Sequence, residues 1–107
     1  MGEDIRGGEP SPQEDPRRTD RVRVNAEVTL RRSGNVSYQV HAYDLSPLGC
    51  KLEFVERPQL AERVWIKFEG LGSIEGLVCW TDGFRVGVEF TSPIYPAVFE
   101  TLVARFR

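Results

Sequence analysis

Short runs of alternating apolar and polar residues, each cut off by a turn signal, recur along this chain and limit what it can fold into. The clearest run sets Val22, Val24, Ala26, Val28 and Leu30 against Arg23, Asn25, Glu27, Thr29 and Arg31. A period of two over ten residues is that of a strand with one buried and one wetted face. Ser33-Gly34-Asn35 supplies a turn, and residues 37–45 read as the return strand of a hairpin. Pro47-Leu48-Gly49 breaks the chain again, after which Cys50, Leu52 and Phe54 alternate with Lys51 and Glu53. Beyond the polar stretch 56–62, residues 63–68 form a fourth strand and Gly70-Leu71-Gly72 turns it. Residues 73–81 make a fifth, apolar on both sides, which predicts cover on both faces; Trp65 and Tyr43 are assigned to the core. Asp82-Gly83 is a hairpin signal, and Val86, Val88 and Phe90 alternate with Arg85, Gly87 and Glu89 in a sixth strand.

The period then changes. Ile94, Tyr95, Val98, Phe99, Leu102, Val103 and Phe106 recur at helical spacing, with Ser92 as the expected N-cap and Pro93 in the first turn. The predicted class is all-β with one helix: a six-stranded antiparallel β-barrel plus a C-terminal α-helix. A chain of 107 residues is one domain, with room for a small core and little for a deep catalytic cleft.

Charge is unevenly spread. Residues 1–16 carry five acids and one base, a balance of −4, whereas the remainder carries +2. This first segment, rich in Gly, Pro and acids, lacks the apolar side chains to offset its ordering entropy and is expected to be disordered, leaving a domain at 17–107. Twelve of the fourteen bases are Arg. Arginine's planar fork of donors suits phosphates and guanine edges, while net acidity disfavours long nucleic acids. Cys50 and Cys79 lie in apolar runs without metal-binding spacing and read as buried, reduced thiols. The absence of an apolar leader or membrane-length run predicts a cytoplasmic protein without membrane contact.

Two clusters carry chemistry. Arg17, Arg18, Arg21 and Arg23 fall within seven residues, and Asp44-Leu45-Ser46-Pro47-Leu48-Gly49 closes the second strand. Asp44 and Ser46 are two apart and share a face, with Leu45 turned to the core between them. Gly49 allows a positive φ or a close approach by a ligand. A carboxylate accepts from the N1–H and N2–H₂ of a guanine; arginine forks onto phosphates or onto guanine O6 and N7. Each cluster also has a plain reading, since Asp and Ser cap turns and charged residues beside a tail are commonly solvated. Trp80 either stacks on a base or packs in the core beside Ile74 and Val78. His41, Asp44 and Ser46 do not make a hydrolase triad, because His41 and Asp44, three apart, are expected on opposite faces. No nucleophile elbow is present and His41 is the one histidine, so catalysis and metal binding are not expected.

Arg17-x-x-x-Arg21 followed by Asp44-x-Ser46-x-x-Gly49 resembles the signature of the PilZ family, R-x-x-x-R and then D/N-x-S-x-x-G after a first hairpin. Val78-Cys79-Trp80 followed by Gly87-Val88-Glu89-Phe90 resembles a further V-x-W and G-x-x-F pattern of that family. The resemblance spans about residues 17–107. It implies a six-stranded barrel with a C-terminal helix that binds the bacterial second messenger cyclic di-GMP on its outer surface, without a cofactor. It implies phosphate and guanine contacts from Arg17 and Arg21, faced by Asp44, Ser46 and Gly49; Arg18 and Arg23 are additional candidates outside the motif positions, as is Trp80 through its stacking plane. Ordering of the arginine segment over the nucleotide would then be read by a protein partner. The alternative is a PilZ-like adaptor that holds another protein through the barrel and helix without nucleotide. A small RNA-binding barrel fits less well, given the acidic balance.

Overall fold

A computed structural model of the chain describes residues 21–107. The expected disorder of 1–16 and the placement of Arg17 and Arg18 lie outside the described residues. Six strands run in sequence: β1 (Val22–Arg32), β2 (Val36–Ser46), β3 (Gly49–Glu53), β4 (Arg63–Lys67), β5 (Ser73–Asp82) and β6 (Arg85–Phe90). One helix, α1 (Pro96–Phe106), comes after them. The strands close into an antiparallel barrel in the order β1-β2-β3-β6-β5-β4, the fold class the alternation predicts.

Alternation builds the core as expected. Leu30, Leu45, Leu52, Val64, Ile66, Phe68 and Val86 are fully enclosed, and Leu102 of α1 plugs onto them. Gly34 and Asn35 take positive φ in the first hairpin, where glycine is unhindered and asparagine tolerated. In the last hairpin Gly83, at φ +62°, occupies the first loop position, so the right-handed strand twist passes through a two-residue turn. Closure is short: β1 pairs with β2 along most of its length but with β4 only through Thr29, Leu30, Arg31 and Arg32.

The helix starts later than expected. Ser92 is not its N-cap; Tyr95 is, in an extended conformation (φ −65°, ψ 147°) and without a side-chain cap bond. Two causes are visible. The amide of Ile94 donates to the carbonyl of Pro47 (2.9 Å), strapping residues 91–95 along the β2–β3 turn. Pro96 then occupies the first helical turn and holds the residue before it extended. Val98, Phe99 and Phe106 lean on the core, Phe106 against Phe68, and Arg105 donates to the carbonyl of Glu69 (2.8 Å).

Candidate functional site

Three register shifts break the otherwise regular barrel, between Arg23 and Ala26, between Ala42 and Asp44, and between Val78 and Trp80. Each is a place where one strand carries an extra residue; β1 keeps its alternation across the first, whereas the other two reverse the facing of the residues after them. In β2, Val40 and Ala42 point inward, Tyr43 is the extra residue, and the inward phase resumes at Leu45. Tyr43 and Asp44 are thereby both turned outward. Tyr43 is not core: its ring lies under the Arg85 guanidinium at 5.5 Å. Desolvation raises its phenol pKa, an effect opposed by the charge of Arg85. His41 and Asp44, expected on opposite faces, share the outer one, although His41 Nδ1 engages Glu27 Oε2 (3.3 Å) rather than Asp44.

The same device decides Trp80. Straight alternation through Gly76 and Val78 would bury it. With Cys79 inserted, Val78 faces Val88 but Trp80 faces Gly87, on the outer surface. A Cβ on Gly87 would coincide with the pyrrole edge of the indole, so glycine there makes the seat in which Trp80 lies half-buried. Cys79, expected buried, is exposed because it is the extra residue; Cys50 is enclosed, and burial pushes its thiol pKa up. Neither is in a disulfide. Trp65 is also outside the core, because it falls between the inward Val64 and Ile66; the Arg31 guanidinium stacks on it at 4.1 Å. The outer face of β5 is not covered, and Leu77 stays 37% exposed.

Arg21, Asp44, Ser46, Gly49 and Trp80 line one shallow groove on the barrel wall, formed by the end of β2, β3 and the β5–β6 pair. Five of the seven sequence candidates therefore come together. Arg21 Nε lies 3.3 Å from Asp44 Oδ1, each side chain partly shielded. Ser46 is buried, and its hydroxyl accepts from the amides of Leu48 (3.1 Å) and Gly49 (3.2 Å), fixing the turn. Gly49 has no positive φ; its need is steric, because a Cβ would run into the carbonyl oxygen of Val88 on β6. Glycine at 49 lets two backbones approach and leaves the turn bare toward the groove.

Sequence reasoning missed Gly87, Lys51 and Arg85. Lys51 also lines the groove. Desolvation lowers its ammonium pKa; the charges of Arg21, Arg23 and Arg85 act in the same sense and Asp44 in the opposite one. Lys51 thus feels three guanidiniums, and the groove holds two carboxylates, Asp44 and Glu89, an arrangement that offers cations to a multivalent anion and acceptors to a polar edge. Among the described residues, no group of three or more His, Cys, Asp or Glu side chains is placed to hold a metal ion. Among them too, no helix is long and apolar enough to cross a membrane.

Fold and groove together describe a small closed barrel with a shallow, charged groove on its outer wall. The chain belongs to the PilZ domain family, whose profile matches residues 15–106 and therefore includes both arginine positions beyond the described residues. No curated protein matches it. Among solved structures it is similar to the PilZ domain of CeSA from a cellulose-synthesizing bacterium, with a TM-score of 0.59 at 18% identity over 79% of this chain and 91% of that one. At that identity the likeness is one of fold. PilZ is a family of cyclic di-GMP receptor and adaptor domains rather than of enzymes.

Proposed function

We propose that this chain is a cyclic di-GMP receptor module. The observation that carries the reading is the groove: a strand bulge turns Trp80 outward onto Gly87, beside the Arg21–Asp44 pair and the bare Ser46–Gly49 turn. The indole supplies a stacking plane, Asp44 an acceptor for a guanine N1–H and N2–H₂, and Arg21 a fork for phosphate or for guanine O6 and N7. Arg17 and Arg18 supply further phosphate contacts. Arg21 and Asp44 neutralise each other in the free protein, so binding is a partner exchange in which each takes a complementary group of the nucleotide. The 17–21 segment then orders over the nucleotide, and a partner protein reads the changed surface.

Calorimetric titration tests the reading, with cyclic di-AMP and GTP as comparisons. Cyclic di-GMP is expected to bind and cyclic di-AMP is not, because adenine presents a donor where guanine O6 accepts. Equal binding of all three, or of none, refutes it. Amide exchange with and without ligand tests the ordering step. New protection is expected at 17–21 and 44–49; protection of the arginine segment already complete in the free protein removes the switch.

A further inference from the structure

A second groove lies beyond the nucleotide site, where β1, β2, β3 and the β5–β6 hairpin meet. Its apolar part includes Phe54 and Val55 at the end of β3 and Phe84 at the hairpin tip. Val55 is 75% exposed and Phe84 65%, which leaves two large apolar side chains in water side by side. Phe84 is not a loose loop residue. It sits in a two-residue turn, and its carbonyl accepts from the amide of Phe54 at 2.7 Å. An aromatic ring whose backbone is held on both sides loses little freedom when something packs on it, the usual condition of a binding anchor.

The rim of this groove is acidic. Glu27, Glu53 and Asp82 line it, against one guanidinium, Arg85, and His41. Arg85 is opposite Glu53 on β3 and Asp82 on β5, and its guanidinium leans over Tyr43; Glu27 reaches His41 at 3.3 Å. Three carboxylates facing one permanent cation around an apolar floor leave a net negative rim. Charge chooses the occupant. The chain's own residues 1–16 carry a balance of −4 and are repelled. A second copy docked symmetrically would set acids on acids. From this we infer that the groove is a docking surface for a partner protein, and that it takes a segment with an apolar side chain flanked by Lys or Arg. The apolar side chain packs between Phe84 and Val55, and the flanking cations reach Glu53, Asp82 and Glu27. This surface is independent of the nucleotide reading and stands or falls without it.

Selection from a random dodecapeptide library, run against the whole protein, tests it. Enriched peptides are expected to carry Lys or Arg beside an aliphatic or aromatic residue. Their binding is expected to fall at least tenfold in Phe84→Ser, to fall in Glu53→Lys and in high salt, and to persist in Tyr95→Ser, which removes a still more exposed ring from another site. Both groove variants change exposed side chains, and unaltered thermal melts confirm that they fold. Selection of acidic or uncharged peptides, no enrichment over the Phe84→Ser protein, or binding indifferent to salt overturns the proposal. So does concentration-dependent self-association that Phe84→Ser abolishes, which would make the occupant a second copy.

Discussion

Two glycines that line the groove invite the same one-carbon insertion with opposite consequences. In Gly49→Ala the new methyl meets the carbonyl oxygen of Val88, which belongs to the strand paired with β3 and has nowhere to go. Forcing an extra carbon against fixed backbone costs about 1–3 kcal/mol. For a domain of this size each kcal/mol moves the melting temperature by roughly 4–8 °C, so a fall of about 5–20 °C is expected. In Gly87→Ala the three atoms nearest the new methyl all belong to the Trp80 indole, a side chain that can rotate toward solvent. The barrel keeps its backbone and its core, and the melting temperature is expected to shift by no more than a few degrees. The stacking plane, however, leaves its seat. Loss of one base–aromatic stack costs about 1–3 kcal/mol, a 5- to 150-fold weaker Kd for cyclic di-GMP. Thermal melts and calorimetry on both variants separate the two effects. If Gly87→Ala binds cyclic di-GMP as tightly as wild type, or if Gly49→Ala melts unchanged, the assignment of Trp80 to the ligand and of Gly49 to strand packing is refuted.

Neighbouring contacts give further expected outcomes. Arg21→Ala is expected to weaken cyclic di-GMP binding by roughly 1–3 kcal/mol with little change in melting temperature; normal binding in calorimetry would show the role misassigned. Arg32 holds Glu62 through two charged hydrogen bonds (2.6 and 2.9 Å), with Gln59 N–H as a third donor, and these keep the Glu62 carboxyl below its usual range. A depressed carboxyl pKa stabilises the fold above its unfolded value and loses that effect as pH falls through the folded one. Glu62→Gln is therefore expected to be less stable by about 1–3 kcal/mol at pH 7 and to converge with wild type in acid; a difference independent of pH would contradict this. Iodoacetamide is expected to label Cys79 in the native protein and Cys50 only on unfolding, with cyclic di-GMP slowing the first reaction, as mass spectrometry would detect.

Much of the barrel was legible because alternation is a direct record of which face is wet. Val22 to Leu30, Cys50 to Phe54 and Val86 to Phe90 read correctly in phase, and Leu45 lies in the core as its neighbours require. The misread positions fall largely at the bulges. Tyr43 and Cys79 are single extra residues, and nothing in a run of alternating letters announces an insertion that only the partner strand reveals. A hint was present for Trp80, since a glycine opposite an aromatic on the adjoining strand is a common pairing. Trp65 was readable from its own run, because Val64 and Ile66 on either side are both apolar and a large ring between them must face out. The late helix start turned on Pro96, whose effect on Tyr95 outweighs the capping power of Ser92. Of the site, Arg21, Asp44 and Ser46 were found as letters. The 3.3 Å contact that ties the first two in the free protein was not, because it depends on a bulge bringing the end of one strand beside the start of another.

The short seam between β1 and β4 divides the barrel by durability. Only four residues of each strand close the ring there, and a cylinder loosens first where it is stitched least. In the strand order the pair β3–β6, which forms the back of the groove holding Arg21, Asp44 and Trp80, is diametrically opposite that seam. Transient opening on one side can therefore relieve thermal strain while the opposite wall keeps its shape. Under the proposed function the binding wall lies farthest from that seam, so opening at the seam is expected to leave the shape and affinity of the groove little changed.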